Sequence, residues 1–504
     1  MDAIRSGLAL VVFLSAAMVP AAELDNAISV YKSGDYRTAI PLLEAACRRD
    51  QTDEHVAAAL LSALVYDGRV DQAADAADAD ATAFPNSPEV IAARGEFAFY
   101  MSDMPEAERL FKAAVKLNES TPRATYGLFR LFRMASMYRT ARLLCLKAHE
   151  LDPDDALITS SWLRYLVPER RKELLGPFVA AHPWFYKRMA QYEQTTGDVQ
   201  KELKEQKAFE LVGERKEAAL HLIYLHDDPQ RVRGVGLELA IEGGKRLRLL
   251  FDTGASGILV TQAAIDRAGL THVGSWVAGG IGDKGLRNTF FAVAKECTIG
   301  TLQYTNCTFE ATEGKGRLAG DEDGLIGADF FSDYILHIDF QKHTLLLTPQ
   351  PERPENPQGY DRTVPAEEAA FTPVFRAGGH LYVSTKVNGK NSGLFLLDTG
   401  SSLSNIDSTF ARLSTKIHGN DWLRVRGVSG EVKDVFEADK AELEFGRFRQ
   451  RNLGLTAFNL NNSPDHQEFR MAGILGAPVL SLFRLTIDYR NGVVNFDYIL
   501  DSHH

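Results

Sequence analysis

Two stretches of this 504-residue chain decide its fold: Leu247-Arg-Leu-Leu-Phe-Asp-Thr-Gly-Ala-Ser and Leu394-Phe-Leu-Leu-Asp-Thr-Gly-Ser-Ser. Each is an apolar run that ends in Asp-Thr-Gly, a tripeptide that average composition places in a chain of this length with odds of roughly 0.1. An apolar-Gly motif follows each stretch at a similar distance, 324–327 in the first copy and 473–476 in the second. The sequence therefore predicts two copies of one β-rich lobe.

The sequence around these stretches also indicates strands. From about residue 230, alternating apolar runs are broken by Gly, Asn and Pro, which is typical of strands and hairpins. Prolines at positions 349, 351, 354 and 357 predict an extended linker without structure of its own. We expect the first lobe over 231–348, the Pro-rich linker over 349–371 and the second lobe over 372–500.

Asp252 and Asp398 are the candidate catalytic residues. A carboxylate at a strand end, followed by Thr and Gly, lies on a tight turn where Gly permits a close backbone approach. Packing two such turns together brings the carboxylates within hydrogen-bond reach, so they share one proton and titrate as a pair. Such a pair polarises a water with one oxygen and protonates a carbonyl with another. This chemistry needs neither a metal ion nor a cofactor, and we expect none.

Residues from about 232 to 500 resemble the aspartic protease clan that includes pepsins and retroviral proteases. The resemblance implies a bilobal all-β fold in which the apolar-Gly strand wraps around the catalytic loop. It also implies that Thr253 and Thr399 bond across to the opposite loop, while Gly254 and Gly400 offer N–H groups to the carboxylates. The implied activity is that of an aspartic endopeptidase. The alternative is a scaffold whose cleft binds a peptide without cutting it.

The residue after each tripeptide differs between the lobes, being Ala255 in the first and Ser401 in the second. Ala at this position resembles the retroviral branch of the clan and removes one hydroxyl from the neighbourhood of the carboxylate. We therefore expect the pair to hold its proton to a higher pH than in the most acid-adapted members.

Two glycine-rich segments are candidate flaps over the cleft, and a tryptophan, Trp276 or Trp422, precedes each one. Two flaps resemble the retroviral arrangement and differ from the single flap of pepsins. Ordinary hairpin tips would have the same composition, so that interpretation stays open. The predicted flap residues are Gly280, Ile281, Gly282, Gly427, Val428, Ser429 and Gly430.

The N-terminal third repeats itself every 34 residues. In each repeat a small residue marks a tight turn, and an alanine five positions later marks a close contact between helices. This period resembles the tetratricopeptide (TPR) repeat family, which implies an all-α solenoid over 23–157. The repeated pairs are Gly34 and Ala39, Gly68 and Ala73, Ser102 and Ala107, and Ser136 and Ala141.

Residues 158–230 keep a helical composition but lose the phase of the repeat, and we expect a helical cap and connector there. By analogy with the fold family, the repeats would recruit a protein substrate or another protein partner through their concave face.

The first 22 residues read as a secretory signal: an apolar run from Gly7 to Val19 follows Arg5, and small residues follow the run. We expect an exported protein, periplasmic or secreted, without a further membrane segment. An uncleaved anchor or a buried first helix is the alternative. Cys297 and Cys307 flank a predicted hairpin turn, where a disulfide and two apolar strand positions would look the same.

The composition is that of an ordinary globular protein, with 45% apolar and 24% charged residues. A net charge of −11 argues against nucleic acid or an anionic membrane surface as a partner. The expected partners are instead a protein or peptide substrate and a protein on the repeats.

Overall fold

The computed structural model describes residues 21–182, 201, 206–282, 285, 287–313, 320–351, 359–420, 422–427, 429–461 and 468–499. The expected signal segment therefore lies, except for its last two residues, outside the described part. No helix within these ranges is both long and apolar enough to cross a membrane.

Antiparallel helix pairs fill residues 21–181. Helices α1 to α8 form four pairs in step with the 34-residue period, and α9 and α10 form a fifth pair joined by the 3-10 turn Leu163–Tyr165. The bounds are α1 Ala21–Ser33, α2 Tyr36–Arg49, α3 Glu54–Tyr66, α4 Val70–Ala83, α5 Pro88–Tyr100, α6 Met104–Leu117, α7 Pro122–Met134, α8 Tyr138–Leu151, α9 Ala156–Trp162 and α10 Pro168–Ala181.

The repeated small residues have the geometry that their spacing predicts. Gly34, Gly68, Ser102 and Ser136 each join the two helices of a pair and each has a positive φ, between 60° and 80°. The alanines five positions later, from Ala39 to Ala141, are fully buried, because a larger side chain would hold the paired helices apart. This region is a TPR-like solenoid.

The inner layer of the solenoid, built from the odd-numbered helices, is filled by its own side chains. The Arg123 guanidinium on α7 pairs with Glu96 on α5 at 3.2 Å and with Asp155, the N-cap of α9, at 2.7 Å. It also lies over the rings of Tyr31 on α1 and Tyr66 on α3. One buried cation therefore touches all five inner helices.

The first and last helices of the solenoid also meet. Lys32 pairs with Asp152 at 2.9 Å, and His182 contacts the carbonyl of Ser33. The two ends of the solenoid are therefore in contact, an arrangement that the repeat spacing alone does not reveal, and recruitment of a protein through the concave face stays a prediction.

The first lobe is built on a nine-stranded sheet in the order β1-β9-β6-β10-β5-β4-β8-β7, with β3 beside β4. Its helix α11, Gln262–Ala268, follows β6 and contacts β6 and β9. The strands are β1 Glu210–Leu211, β3 Ile223–Asp228, β4 Arg231–Ile241, β5 Lys245–Asp252, β6 Ile258–Thr261, β7 Thr271–Ala278, β8 Arg287–Ile299, β9 Leu302–Thr312 and β10 Gly324–Gly327. Cys297 and Cys307 form a disulfide between β8 and β9, which settles the choice that the sequence leaves open.

The second lobe repeats this plan in a ten-stranded sheet, ordered β18-β21-β24-β17-β25-β16-β15-β22-β23 with β14 beside β15. Its helices are α12 Ser408–Ser414 and α13 Ala477–Leu480. The strands are β14 Phe375–Ala377, β15 His380–Val387, β16 Asn391–Asp398, β17 Asn405–Asp407, β18 Ile417–Gly419, β21 Val435–Ala438, β22 Ala441–Phe445, β23 Phe448–Asn452, β24 Leu455–Phe458 and β25 Gly473–Gly476; the separate hairpin is β19 Val425–Gly427 with β20 Gly430–Val432.

A six-stranded sheet joins the lobes, in the order β13-β27-β26-β11-β12-β2. Strands β11 and β26, one from each lobe, pair antiparallel at its centre. One hydrophobic core consequently runs through both lobes. The strands are β2 Ala218–His221, β11 Tyr334–Asp339, β12 Thr344–Pro349, β13 Thr372–Pro373, β26 Phe483–Asp488 and β27 Val493–Tyr498.

The expected helical connector over 158–230 is wrong in its second half. The described helices end at Ala181, and strands begin at Glu210. Residues from Ala218 alternate between buried and exposed, which is the period of a strand, and they complete the edge of the sheet beside β12.

The linker over 349–371 does carry structure, contrary to expectation, because both of its neighbours hold it. Tyr360 and Arg362 make backbone hydrogen bonds to Arg139 and Ser136 of the solenoid. Asp361 accepts the N–H and the hydroxyl of Thr140. A short 3-10 helix, Ala366–Glu368, follows against β26 and β27.

The solenoid packs on the outer side of the second lobe. Ser102 accepts the backbone N–H of Leu394 on β16, and the N–H of Arg470 donates to the carbonyl of Tyr100. Arg130 donates to the carbonyl of Glu468. The two turn positions where serine replaces glycine, 102 and 136, are those that contact the second lobe and the linker.

Candidate active site

Strands β5 and β16 carry the two aspartates to the same place in their lobes. Each strand is buried and ends at its aspartate, Asp252 or Asp398. Strand β10 runs parallel to β5 with Gly327 opposite Asp252, and β25 runs parallel to β16 with Gly476 opposite Asp398. The apolar-Gly strands therefore flank the catalytic turns in the same register.

The two threonines bind each turn to the other lobe. The Thr253 hydroxyl donates to the carbonyl of Leu397 at 2.8 Å and accepts the N–H of Thr399 at 3.0 Å. The Thr399 hydroxyl makes the mirror contacts with Phe251 and Thr253, at 2.9 and 3.0 Å. These four bonds are buried, and they fix the distance between the two turns.

The glycines support the carboxylates as the resemblance implies. Gly254 donates its N–H to Oδ1 of Asp252 at 2.8 Å, and Gly400 donates to Oδ1 of Asp398 at 2.9 Å. A methyl group added to Gly254 or Gly400 would lie 2.5 or 2.4 Å from the carboxyl carbon of the opposite aspartate. No side chain other than hydrogen fits there, so both glycines are required by the close approach.

The aspartate pair has the electrostatics of a shared proton. The carboxyls are hydrogen-bonded to one another, and burial raises the pKa of both. The pKa of Asp398 is held well above its ordinary range, first by burial and then by the negative charge of Asp252. Two carboxyls this close cannot both ionise readily, so the pair carries one proton.

The hydroxyl at position 401 does not act as the sequence suggests. The Ser401 hydroxyl donates to the carbonyl of Leu403, while the backbone N–H of Ser401 donates to Oδ1 of Asp398 at 2.9 Å. Burial is the first cause of the raised pKa of both aspartates, and the negative charge of Asp252 adds to it at Asp398, while a contribution from the missing hydroxyl at Ala255 stays a prediction.

The loops behind the two turns are held by different groups. In the first lobe Asp329 accepts the hydroxyl of Ser256 at 2.5 Å and the N–H of Gly257 at 2.9 Å. In the second lobe the hydroxyl of Ser404 accepts the N–H of Gly476. Asp329 was not predicted from the sequence, although its position two residues after the apolar-Gly motif could have indicated that it lies near the Asp252 turn.

The predicted flap residues of the two lobes contact one another. The N–H of Gly280 donates to the hydroxyl of Ser429 at 3.1 Å, and the N–H of Ser429 donates to the carbonyl of Ile281 at 2.9 Å. Gly282 approaches the backbone of Ser429 and Gly430, and Gly427 approaches Ile281, too closely for larger side chains. Val428 lies outside the described residues. Ser429 itself is fully buried.

The tryptophans before the flaps differ. Trp276 lies within β7 opposite Thr289, whereas the Trp422 side chain is 93% exposed. The tryptophan pattern in the sequence therefore does not correspond to one shared packing role.

The two-lobed all-β fold with paired Asp-Thr-Gly turns is consistent with an aspartic protease domain. Residues 237–330 match a family model described as aspartyl protease, and residues 24–88 match one described as tetratricopeptide repeat. The first match covers most of the first lobe, and the second lobe is related to it by the internal duplication. No curated protein matches the chain.

Proposed function

We propose that the protein is an aspartic endopeptidase that hydrolyses peptide bonds through a water activated by Asp252 and Asp398. The observation that carries the proposal is the pair of buried, hydrogen-bonded carboxyls on symmetric turns. Glycine-rich segments, one from each lobe, contact one another, and in the proposed enzyme they would cover an extended peptide bound at the pair.

The proposed reaction begins with one proton on the pair. Asp252 takes a proton from water as the water oxygen bonds to the peptide carbonyl carbon, and Asp398 gives its proton to the carbonyl oxygen. The tetrahedral diol then loses one hydroxyl proton to Asp398. Asp252 delivers its proton to the amide nitrogen as the C–N bond breaks, and the pair regains its starting state.

Cleavage of a diverse peptide mixture between about pH 3 and 7, read by mass spectrometry, tests the proposal. Because each carboxyl acts in proton transfer, Asp252→Asn and Asp398→Asn should each lower the rate by about a thousandfold. Asp339→Asn is the matched control, since this aspartate caps the turn after β11, and an amide oxygen can still accept those N–H groups. Equal cleavage by the wild type and all three variants would show that Asp252 and Asp398 are not the catalytic pair.

A non-catalytic peptide-binding scaffold is the other outcome of the same experiment. In that case peptides would bind the wild-type protein without being cut at any pH, and the aspartate variants would change affinity alone.

We also propose that the chain is exported. The apolar N-terminal run and the Cys297–Cys307 disulfide, which suits an oxidising compartment, support this proposal. N-terminal sequencing of the protein from its native compartment should find a start near residue 23, with both thiols blocked until a reductant is added. An intact Met1 together with free thiols at 297 and 307 would contradict export.

A protein partner, as TPR repeats suggest, would bind the solenoid, and the outer surface of the solenoid offers it apolar side chains. Leu117 and Leu143 are more than half exposed on the outer helices α6 and α8. A photo-crosslinking residue placed at either position should capture such a partner, whereas one at the buried Glu96 should not. Capture at Glu96 alone would indicate that the solenoid opens.

A further inference from the structure

A hairpin of the second lobe reaches the catalytic loop of the first. The turn between β14 and β15 ends at Gly379, where an added methyl group would lie 2.1 Å from Oδ2 of Asp329 and 2.6 Å from Oγ of Ser256. Ser256 lies four residues after Asp252 in the same loop. The hairpin tip is therefore seated directly against the loop that carries the first catalytic aspartate.

His380, the next residue, is placed by this contact. Its side chain is largely buried, and its Nδ1 atom has no hydrogen-bond partner among the described residues. The charged groups that face the imidazole are the carboxylates of Asp252 and Asp329. Arg376 on the same hairpin binds the carbonyl of Tyr489 and lies over its ring.

The first lobe has no equivalent imidazole. Leu237 pairs with Leu249 in the first lobe as Val383 pairs with Phe395 in the second, and the same offset of 146 residues relates Thr253 to Thr399. This offset makes Gly234 the counterpart of His380. Asp252 thus has a basic neighbour at a position where Asp398 has glycine.

We propose that His380 is a positioning residue that keeps the negative charge of the dyad on Asp252 and the proton on Asp398. As an imidazolium it favours the carboxylate form of Asp252, the base of the proposed hydrolysis. Burial lowers the pKa of His380, while the two facing carboxylates oppose that shift. The imidazole acts on the dyad in this way where it carries its proton, and the titration of its ring resonance measures that range.

Removing this base should raise the lower pKa of the dyad. In His380→Asn and His380→Gln the acid limb of kcat/KM should move upward by about half a pH unit or more, with a smaller effect on KM. His337→Asn is the matched control: His337 is also a partly buried histidine, but it lies in the six-stranded sheet between the hydroxyls of Thr486 and Thr348. It should leave the limb unchanged.

The inference rests on the proposed hydrolysis, so the decisive measurement does not depend on activity. In the full chain labelled with 13C at the aspartate carboxyl, the Asp252 and Asp398 resonances are titrated in the wild type and the three variants. A higher lower-step pKa in both His380 variants, absent from His337→Asn, supports the assignment even if no peptide is cut. Identical titrations overturn it, whether or not the protein is a protease.

A measurement on the wild type covers the case in which the His380 variants do not fold. The His380 ring resonance should then show two inflections, its own and one that coincides with ionisation of the dyad. A simple single-step curve would show that imidazole and dyad are uncoupled and would overturn the proposal.

Discussion

The two lobes share the geometry of their Asp-Thr-Gly turns but differ in the groups that contact those turns and in their contact with the solenoid. Corresponding threonine hydrogen bonds of the two lobes agree in length within 0.1 Å. In both lobes the last glycine of the apolar-Gly strand pairs with the aspartate. The first lobe holds its catalytic loop with Asp329 and faces His380. The second lobe is the one on which the solenoid packs.

This difference separates two requirements of the site. Bringing two carboxyls together needs symmetry, because each turn is held by the other. Giving the carboxyls different tasks needs asymmetry, and that is supplied by residues outside the repeated motif. The following changes test this division, beginning with the largest expected effect.

The symmetric part should respond equally in the two lobes. Thr253→Val and Thr399→Val each leave a buried N–H and a buried carbonyl without a partner, at a cost of about 2–4 kcal/mol in unfolding free energy. Thermal and urea unfolding measure the loss, and the Thr→Ser variants, which keep the hydroxyl, are the controls. A marked difference between the two valine variants would show that the turns are not equivalent.

Equivalent aspartates at the strand ends of the two lobes lie in different surroundings. Asp339 of the first lobe caps a turn near solvent, whereas Asp488 of the second is buried beside Gln350, Asn491 and Glu368. Burial, and then the charge of Asp488, raises the pKa of Glu368 to about 7.

The folded protein consequently retains a proton on Glu368 that the unfolded chain releases near pH 4.5. Stability should therefore fall as the pH rises from about 4.5 to 7, by about 1–2 kcal/mol allowing for solvent screening. Glu368→Gln should remove this slope, and Glu367→Gln, its exposed neighbour, should retain it. Melting temperatures across this pH range provide the measurement. An unchanged slope in Glu368→Gln would place the titration elsewhere.

Support by the solenoid should be confined to the second lobe. Ser102→Ala leaves the N–H of Leu394 without its acceptor and should cost about 1 kcal/mol. Hydrogen exchange should accelerate in β16 but not in its counterpart β5. Ser136→Ala is the milder control, because Ser136 receives Arg362 through its backbone carbonyl. Faster exchange in both strands would mean that the solenoid stabilises the lobes together.

The flap contact should have the smallest effect. Ser429→Ala removes the acceptor for the Gly280 N–H, so closure over a bound peptide weakens and KM should rise about two- to fivefold with little change in kcat. Ser401→Ala, whose hydroxyl bonds within its own loop, serves as the control in steady-state kinetics. A lower KM would show instead that this contact competes with the substrate.

Local patterns predicted the parts of the fold that local geometry determines. The 34-residue period gave the solenoid because each helix pair repeats one turn and one close contact, at Gly34 and Ala39 in the first copy. The paired Asp-Thr-Gly turns gave the dyad because a strand end, a threonine and a glycine are sufficient to define the turn.

The remaining features depend on contacts between distant parts of the chain. The position of Arg123 among five helices follows from solenoid curvature, and the anchoring of Asp361 by Thr140 follows from docking of one region on another. His380 comes close to Asp252 only because the lobes are assembled. No spacing within either stretch of sequence encodes these approaches.

The sheet shared by the lobes also bears on the order in which parts of the chain fold. The contact between His337 and Thr486 at the centre of this sheet joins residues 149 positions apart, so the contact can form only after nearly the whole chain has been synthesised. The helical repeats make local contacts and are synthesised first, so they are folded by then. We therefore expect the second lobe to fold against a solenoid that has already formed.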